Sequence, residues 1–132
     1  MISSILIANR GEIAVRIVRA CREMGIRSVV TYSSADEDSL AVRMADSAIR
    51  VGPAPARDSY LNKAGLISAA VLTHCDAVHP GVGFLSESAA FAKEVQDAGL
   101  IFIGPQPETI RLLGDKVQAK RTARESGVPV IP

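Results

Sequence analysis

Tryptophan is absent from this 132-residue chain, and aromatic residues amount to only 4% of it. Proteins that stack on nucleic-acid bases need aromatic platforms, so base recognition is not expected. An excess of one charge is also lacking: 15 basic and 14 acidic side chains leave a formal net charge of +1. That balance provides no electrostatic footprint for a nucleic acid or an acidic membrane surface. Cysteine is scarce, with only Cys21 and Cys75. They form no Cys-x-x-Cys pair, and His74 and His79 lie near only one of them, which argues against zinc. Both read as small core residues of a soluble protein in a reducing, cytoplasmic compartment. Long apolar runs are missing too. The run Ile5-Leu6-Ile7-Ala8 is far too short to span a bilayer and has no cleavage site behind it. Neither a membrane span nor a signal peptide is expected.

What is present is ordinary globular usage, 48% apolar and 22% charged, in a length that suits one domain with a core of its own. Apolar periodicity alternates along the chain between strand and helix. Strands are predicted at 5–8, 28–32, 47–51, 76–79 and 100–103. Between the first two, Ile13, Ala14, Ile17, Val18, Cys21 and Met24 recur at helical spacing, and Gly25 stands where a helix C-cap belongs. Asp36-Glu37-Asp38-Ser39 reads as the acidic first turn of a second helix, with Leu40 and Met44 inward. A third helix is predicted over 62–72 with Ile67 and Val71 inward. Ser86 is expected to cap a fourth, whose stripe is Phe91, Val95 and Ala98 and which Gly99 ends. Strands alternating with helices imply an α/β fold with a parallel sheet of about five strands. The periodicity leaves the strand order open.

The last thirty residues break the rhythm. A short helix is predicted at 108–113, and Asp115, with Gln118 three residues on, reads as the cap of a separate helix that Gly127 and Pro129 end. Val130-Ile131-Pro132 opens like a strand, as though a second domain followed.

Four groups of residues invite a functional reading. The turn Ala8-Asn9-Arg10-Gly11-Glu12 occupies the place where dinucleotide folds put Gly-x-Gly-x-x-Gly, but only Gly11 is there, so a nicotinamide or flavin cofactor is disfavoured. Asn9, Arg10 and Glu12 read either as a polar network fixing the turn or as residues at a domain junction. His79-Pro80-Gly81-Val82-Gly83-Phe84 lies at the carboxyl end of the fourth strand, the edge where open parallel sheets bind ligands. It reads either as a tight turn beside a buried histidine or as a ligand wall that the glycines open to close approach. Lys116, one residue after the expected cap, reads as a phosphate ligand at a helix N-terminus or as one cation of a solvated basic face with Lys120, Arg121 and Arg124. Arg16, Arg19 and Glu23 share a helix face, with pairs Glu12–Arg16 and Arg19–Glu23 at i,i+4; that face is either solvated or a subunit interface.

Taken together, eight segments resemble the N-terminal domain of biotin carboxylase, in family order. They are Ile7-Ala8-Asn9-Arg10-Gly11-Glu12-Ile13-Ala14, Ser33-Ser34-Ala35-Asp36, Gly52-Pro53-Ala54, Ser59-Tyr60-Leu61-Asn62, His79-Pro80-Gly81, Gly83-Phe84-Leu85-Ser86-Glu87, Phe102-Ile103-Gly104-Pro105 and Gly114-Asp115-Lys116. The resemblance implies a Rossmann-like three-layer domain over 1–114 and, over 115–132, a helix and linker leading to an ATP-grasp domain absent from this chain. It further implies ATP-dependent carboxylation of carrier-linked biotin by bicarbonate, through carboxyphosphate, in an acetyl-, propionyl- or pyruvate-type carboxylase. Lys116 would then touch the nucleotide, Gly81, Val82, Gly83 and Phe84 would wall the biotin side, and Arg16, Arg19 and Glu23 would lie on a homodimer surface. Where many members have tyrosine this chain has Val82, without ring or hydroxyl. Mg²⁺ ligands, a glycine-rich lid and the catalytic residues would belong to the ATP-grasp and C-terminal domains, and no metal or catalytic residue is expected in this segment. Further partners would be a biotin carboxyl carrier domain and a carboxyltransferase. Two other readings compete: a dinucleotide oxidoreductase domain, which the missing glycines oppose, and a non-catalytic scaffold or dimerisation domain of another ATP-grasp ligase.

Overall fold

Every residue of the first strand, β1 (Ser4–Ile7), is buried. A strand with no polar face belongs in the middle of a sheet covered on both sides. The computed structural model, which describes residues 1–127, places it there. The sheet has five strands in the order β3-β2-β1-β4-β5, all paired in parallel. The others are β2 (Arg27–Ser33), β3 (Ser47–Gly52), β4 (Ala77–His79) and β5 (Ile101–Phe102). The helices are α1 (Gly11–Met24), α2 (Leu40–Met44), α3 (Lys63–Leu72), α4 (Ala89–Asp97) and α5 (Pro107–Glu125).

Alternation along the strands divides the core into two clusters. Ile5, Ile7, Val30 and Ala77 face α1 and α2, where Ala14, Val18, Cys21 and Ala41 meet them. Leu6, Val29 and Val78 face α3 and α4, packing on Leu66, Ala70, Phe91 and Val95. Three layers result, as the resemblance implies. On the second face Phe91 meets Phe102 edge-on at 6.1 Å, a geometry that contributes about 0.5–1.5 kcal/mol beyond burial. Helix α1 stops because Gly25 takes a left-handed φ of 70°. The amides of Gly25 and Ile26 then donate to the carbonyls of Arg22 and Cys21, which satisfies the open helix end.

Several local expectations are corrected. Ser88, not Ser86, caps α4, its hydroxyl accepting the Phe91 amide at 3.1 Å. Helix α2 begins only after Ser39, and Asp36 sits in the tight turn before it, bonded elsewhere. Met24, Leu40, Val71 and Ala98 are exposed rather than inward, and α3 buries Leu66, Ala69 and Ala70 instead. The largest difference is α5. It runs unbroken from Pro107 to Glu125, through the Gly-Asp pair that reads as a stop and a new cap. A glycine inside a helix costs only about 1 kcal/mol, and no proline stands between 107 and 125 to enforce a break. The boundary expected at residue 114 therefore falls within a helix. Pro129 as a helix stop and the strand-like start at 130–132 lie outside the described residues.

Candidate functional site

The strand order reverses direction at β1. From there the chain fills one side with β2 and β3, then returns to add β4 and β5 on the other. At such a switch point the loops leaving two adjacent strands part, and a crevice opens at the carboxyl edge. Here the two loops are Ala8–Arg10 after β1 and Pro80–Phe84 after β4.

Asn9 ties these loops together. It is almost fully buried, and its Nδ2 donates to the carbonyl oxygens of both Pro80 and Val82 at 2.8 Å. Its Oδ1 accepts the Arg10 amide at 2.8 Å. Gly81 is required beside it: φ is +70°, and an added Cβ would stand 2.6 Å from Asn9 Nδ2 and 2.8 Å from Ile13 Cγ2. The Gly81 amide donates to His79 Nδ1 at 3.0 Å. That bond needs an unprotonated Nδ1, and burial lowers the His79 pKa in the same direction. Val82 stands exposed at the tip. Phe84 closes the turn with a left-handed φ of 45° and stacks on Tyr60, ring centroids 5.2 Å apart.

A second network runs behind the first. Arg10 grips Asp36 with two bonds, Nε to Oδ2 at 2.7 Å and Nη2 to Oδ1 at 2.8 Å. The Tyr60 hydroxyl donates to Asp36 Oδ2 at 2.5 Å and accepts the Ser33 amide at 3.0 Å. The Arg10 bond holds the Asp36 carboxyl at about 2, and burial, then the Asp36 bond, raises the Tyr60 phenol. Neither group exchanges a proton near neutrality, so this pair is built to position rather than to act as acid or base.

The sequence candidates are thus brought together in part. Asn9, Arg10 and Gly81–Phe84 meet at one edge. Glu12 lies outside the network, exposed and paired with Arg16 at 3.7 Å. Arg16, Arg19 and Glu23 are exposed on α1, and among the described residues no ion pair joins Arg19 to Glu23. Beside Arg16, Ile5, Ile17, Met24 and Ile103 border an apolar hollow of about 590 Å³. Lys116 is exposed in the middle of α5, not in a first turn. The free-amide argument for an anion site at its helix end therefore lapses, and any phosphate contact rests on the ammonium alone. The same helix flanks the segment after β4, where Leu113, Gly114 and Val117 line a hollow with Ser86, Glu87 and Pro105. Among the described residues, no three His, Cys, Asp or Glu side chains are grouped to hold a metal ion, and no helix is long and apolar enough to cross a membrane. Asp36 and Tyr60 are the residues that reading the turns one by one misses. Their signal lay in the segments Ser33–Asp36 and Ser59–Asn62, which carry the resemblance without a local motif of their own.

Residues 1–110 match the family model "Biotin carboxylase, N-terminal domain". The chain is 58% identical over 132 residues to the biotin carboxylase of Allochromatium vinosum, covering all of this chain and 29% of that protein. It is 56% identical over 131 residues to the α subunit of the mitochondrial methylcrotonoyl-CoA carboxylase of Glycine max, covering 99% of this chain and 18% of that one. Among solved structures it resembles the biotin carboxylase domain dimer of the Hydrogenobacter thermophilus 2-oxoglutarate carboxylase, in complex with MgADP, ADP and bicarbonate. The TM-score there is 0.86 at 42% identity, covering 100% of this chain and 29% of that one. The chain thus spans less than a third of the length of these relatives.

Proposed function

Because this chain belongs to the biotin carboxylase N-terminal domain family, we propose that it forms the first wall of an enzyme that carboxylates carrier-linked biotin with bicarbonate and MgATP. The observation that carries this reading is the clamped turn. At the β1/β4 switch point, Asn9 fixes the carbonyls of Pro80 and Val82 and so holds Gly81–Phe84 in one shape. In this reading Gly81, Val82, Gly83 and Phe84 form the biotin-side wall, and Asn9, Arg10 and Glu12 stand at the junction with the ATP-grasp domain. Lys116 reaches a phosphate of ATP, and Arg16, Arg19 and Glu23 lie on a homodimer surface. ATP supplies the energy and Mg²⁺ neutralises its phosphates, held mainly by the ATP-grasp and C-terminal domains. The partners are those domains, a biotin carboxyl carrier domain and a carboxyltransferase in the cytoplasm. The carboxyltransferase sets the acceptor, acetyl-CoA or propionyl-CoA in our reading.

Replacing the N-terminal part of the Allochromatium vinosum enzyme, the 58% identical relative, with this chain is expected to preserve fixation of labelled bicarbonate into free biotin. A folded but inactive chimera would sink the reading. In that chimera Lys116→Ala is expected to raise the KM for ATP about tenfold, the loss of one charge-assisted phosphate bond, and to leave the KM for bicarbonate unchanged. An unmoved ATP dependence would remove Lys116 from the nucleotide site. The isolated 132-residue chain is expected to show no biotin-dependent ATP hydrolysis, because in this reading the Mg²⁺ ligands and the catalytic residues belong to the ATP-grasp and C-terminal domains. Turnover by pure material would overturn that.

A further inference from the structure

We propose that Tyr60, tethered by Asp36 and Arg10, is a positioning residue for the Gly81–Phe84 turn and thereby sets the affinity of the site for the ureido ring of biotin. The inference rests on the biotin-side reading of that turn and adds the device that holds it in shape. Phe84 is the element to be explained. A non-glycine residue at φ 45° is strained by roughly 1 kcal/mol or more and persists only where its surroundings enforce it. Its ring lies on Tyr60, whose own exposure is 2%. The Tyr60 ring cannot swing away, because its hydroxyl is held from two sides by Ser33 and Asp36. Asp36 is fixed in turn by the two bonds from Arg10, the Arg10 amide by Asn9, and the Asn9 side chain returns to the Val82 carbonyl. The circuit closes on itself across the loops after β1, β2, β3 and β4. It grips the turn in two places, Asn9 at the Pro80 and Val82 carbonyls and Tyr60 at the Phe84 ring. In this proposal Tyr60, Asp36 and Arg10 act through the turn; their role is to keep the tip at one geometry, and misplacement there weakens binding of whatever the tip meets.

The test uses the full-length chimeric enzyme, free biotin and two variants. Tyr60→Leu removes both the stack and the hydroxyl. Tyr60→Phe keeps the stack and loses only the hydroxyl, and it is the variant that reports if the leucine protein does not fold. Steady-state kinetics give KM for biotin and for ATP, and amide hydrogen exchange reports on residues 80–88. The expected result is a KM for biotin raised about tenfold by Tyr60→Leu and about threefold by Tyr60→Phe, with the KM for ATP within about twofold. Exchange over 80–88 should quicken in the same order. Equal changes in both KM values, or unchanged exchange over 80–88, would reduce Tyr60 to a structural residue and overturn the proposal. Faster exchange with an unmoved biotin KM would also overturn it, and would locate the failure in the biotin-side reading rather than in the clamp. Val82→Asp changes only the exposed side chain at the tip and leaves the Val82 carbonyl free to accept from Asn9; it checks that reading separately: it is expected to raise the biotin KM, and no effect would sink the reading whatever the state of Tyr60.

Discussion

Asp36 shows how much one side chain's surroundings decide. Its ordinary pKa of 3.8 falls to about 2 beside Arg10. Between those values the unfolded chain binds more protons than the folded one, so stability rises with pH there. The Asp36 contribution is complete above about pH 4 and is lost as the pH falls through about 2. We expect Asp36→Asn to cost about 1–2 kcal/mol in urea unfolding at pH 6, since Arg10 is half exposed and solvent screens part of the pair. The gap between variant and parent should close toward pH 2; a pH-independent gap would show that the ion pair contributes nothing. His79 works at a higher pH but in the same direction. Burial lowers its pKa, so its contribution is present above about 6.5 and declines as the pH falls below that. Gly81 is decided by space and conformation together. Gly81→Ala places a methyl against Asn9 and Ile13 at a left-handed φ, and we expect a loss of about 2–4 kcal/mol by chemical denaturation, with the Asn9 bonds broken. A near-neutral alanine would mean that the turn relaxes freely.

Among the elements, α5 departs furthest from its expected form. Gly-Asp followed by a helical pattern is an ordinary stop-and-cap signal, and the residues on both sides suit a helix. What decides between two helices and one is whether the chain must turn at Gly114, and nothing packed against it makes it turn: an added Cβ there meets nothing within 4 Å. Gly114→Ala is therefore expected to raise stability or helicity by about 0.5–1 kcal/mol, read by circular dichroism during urea unfolding. A destabilised variant would argue that the glycine is needed for a break. The smaller departures have the same origin. Ser86 and Ser88 are equally good caps by residue type. Which of them caps depends on where the preceding loop ends, and that is set by Leu85 sinking into the core. Val71 stands off the face that α3 buries through Leu66, Ala69 and Ala70, and Met24 is the last residue of α1, beyond its buried stripe; both remain exposed.

At the scale of the molecule, the three layers follow from the apolar run Ile5-Leu6-Ile7-Ala8 and the regular return of helices, both plain in the sequence. The left-handed glycines that end α1 and α4, Gly25 and Gly99, were legible for the same reason: each signal is carried within one turn of chain and needs no distant partner. The combination of short segments pointed to the biotin carboxylase family, since many weak signals in a fixed order are specific together. The strand order β3-β2-β1-β4-β5 was not legible, because parallel strands are joined by crossovers whose sequence does not say on which side of the sheet the next strand lands. From that order comes the adjacency of the loops after β1 and β4, where Asn9 meets Val82, and of the loops after β1, β2 and β3, where Arg10 meets Asp36 and, through it, Tyr60, across separations of 73, 26 and 24 residues. The elements, the alternation that buries them and the residues held ready in the turns are all written locally along the chain. Which turns meet is settled in three dimensions, because hydrogen bonds and ring stacking act over a few ångströms and depend on where the sheet carries each loop, not on how far apart the residues lie along the chain.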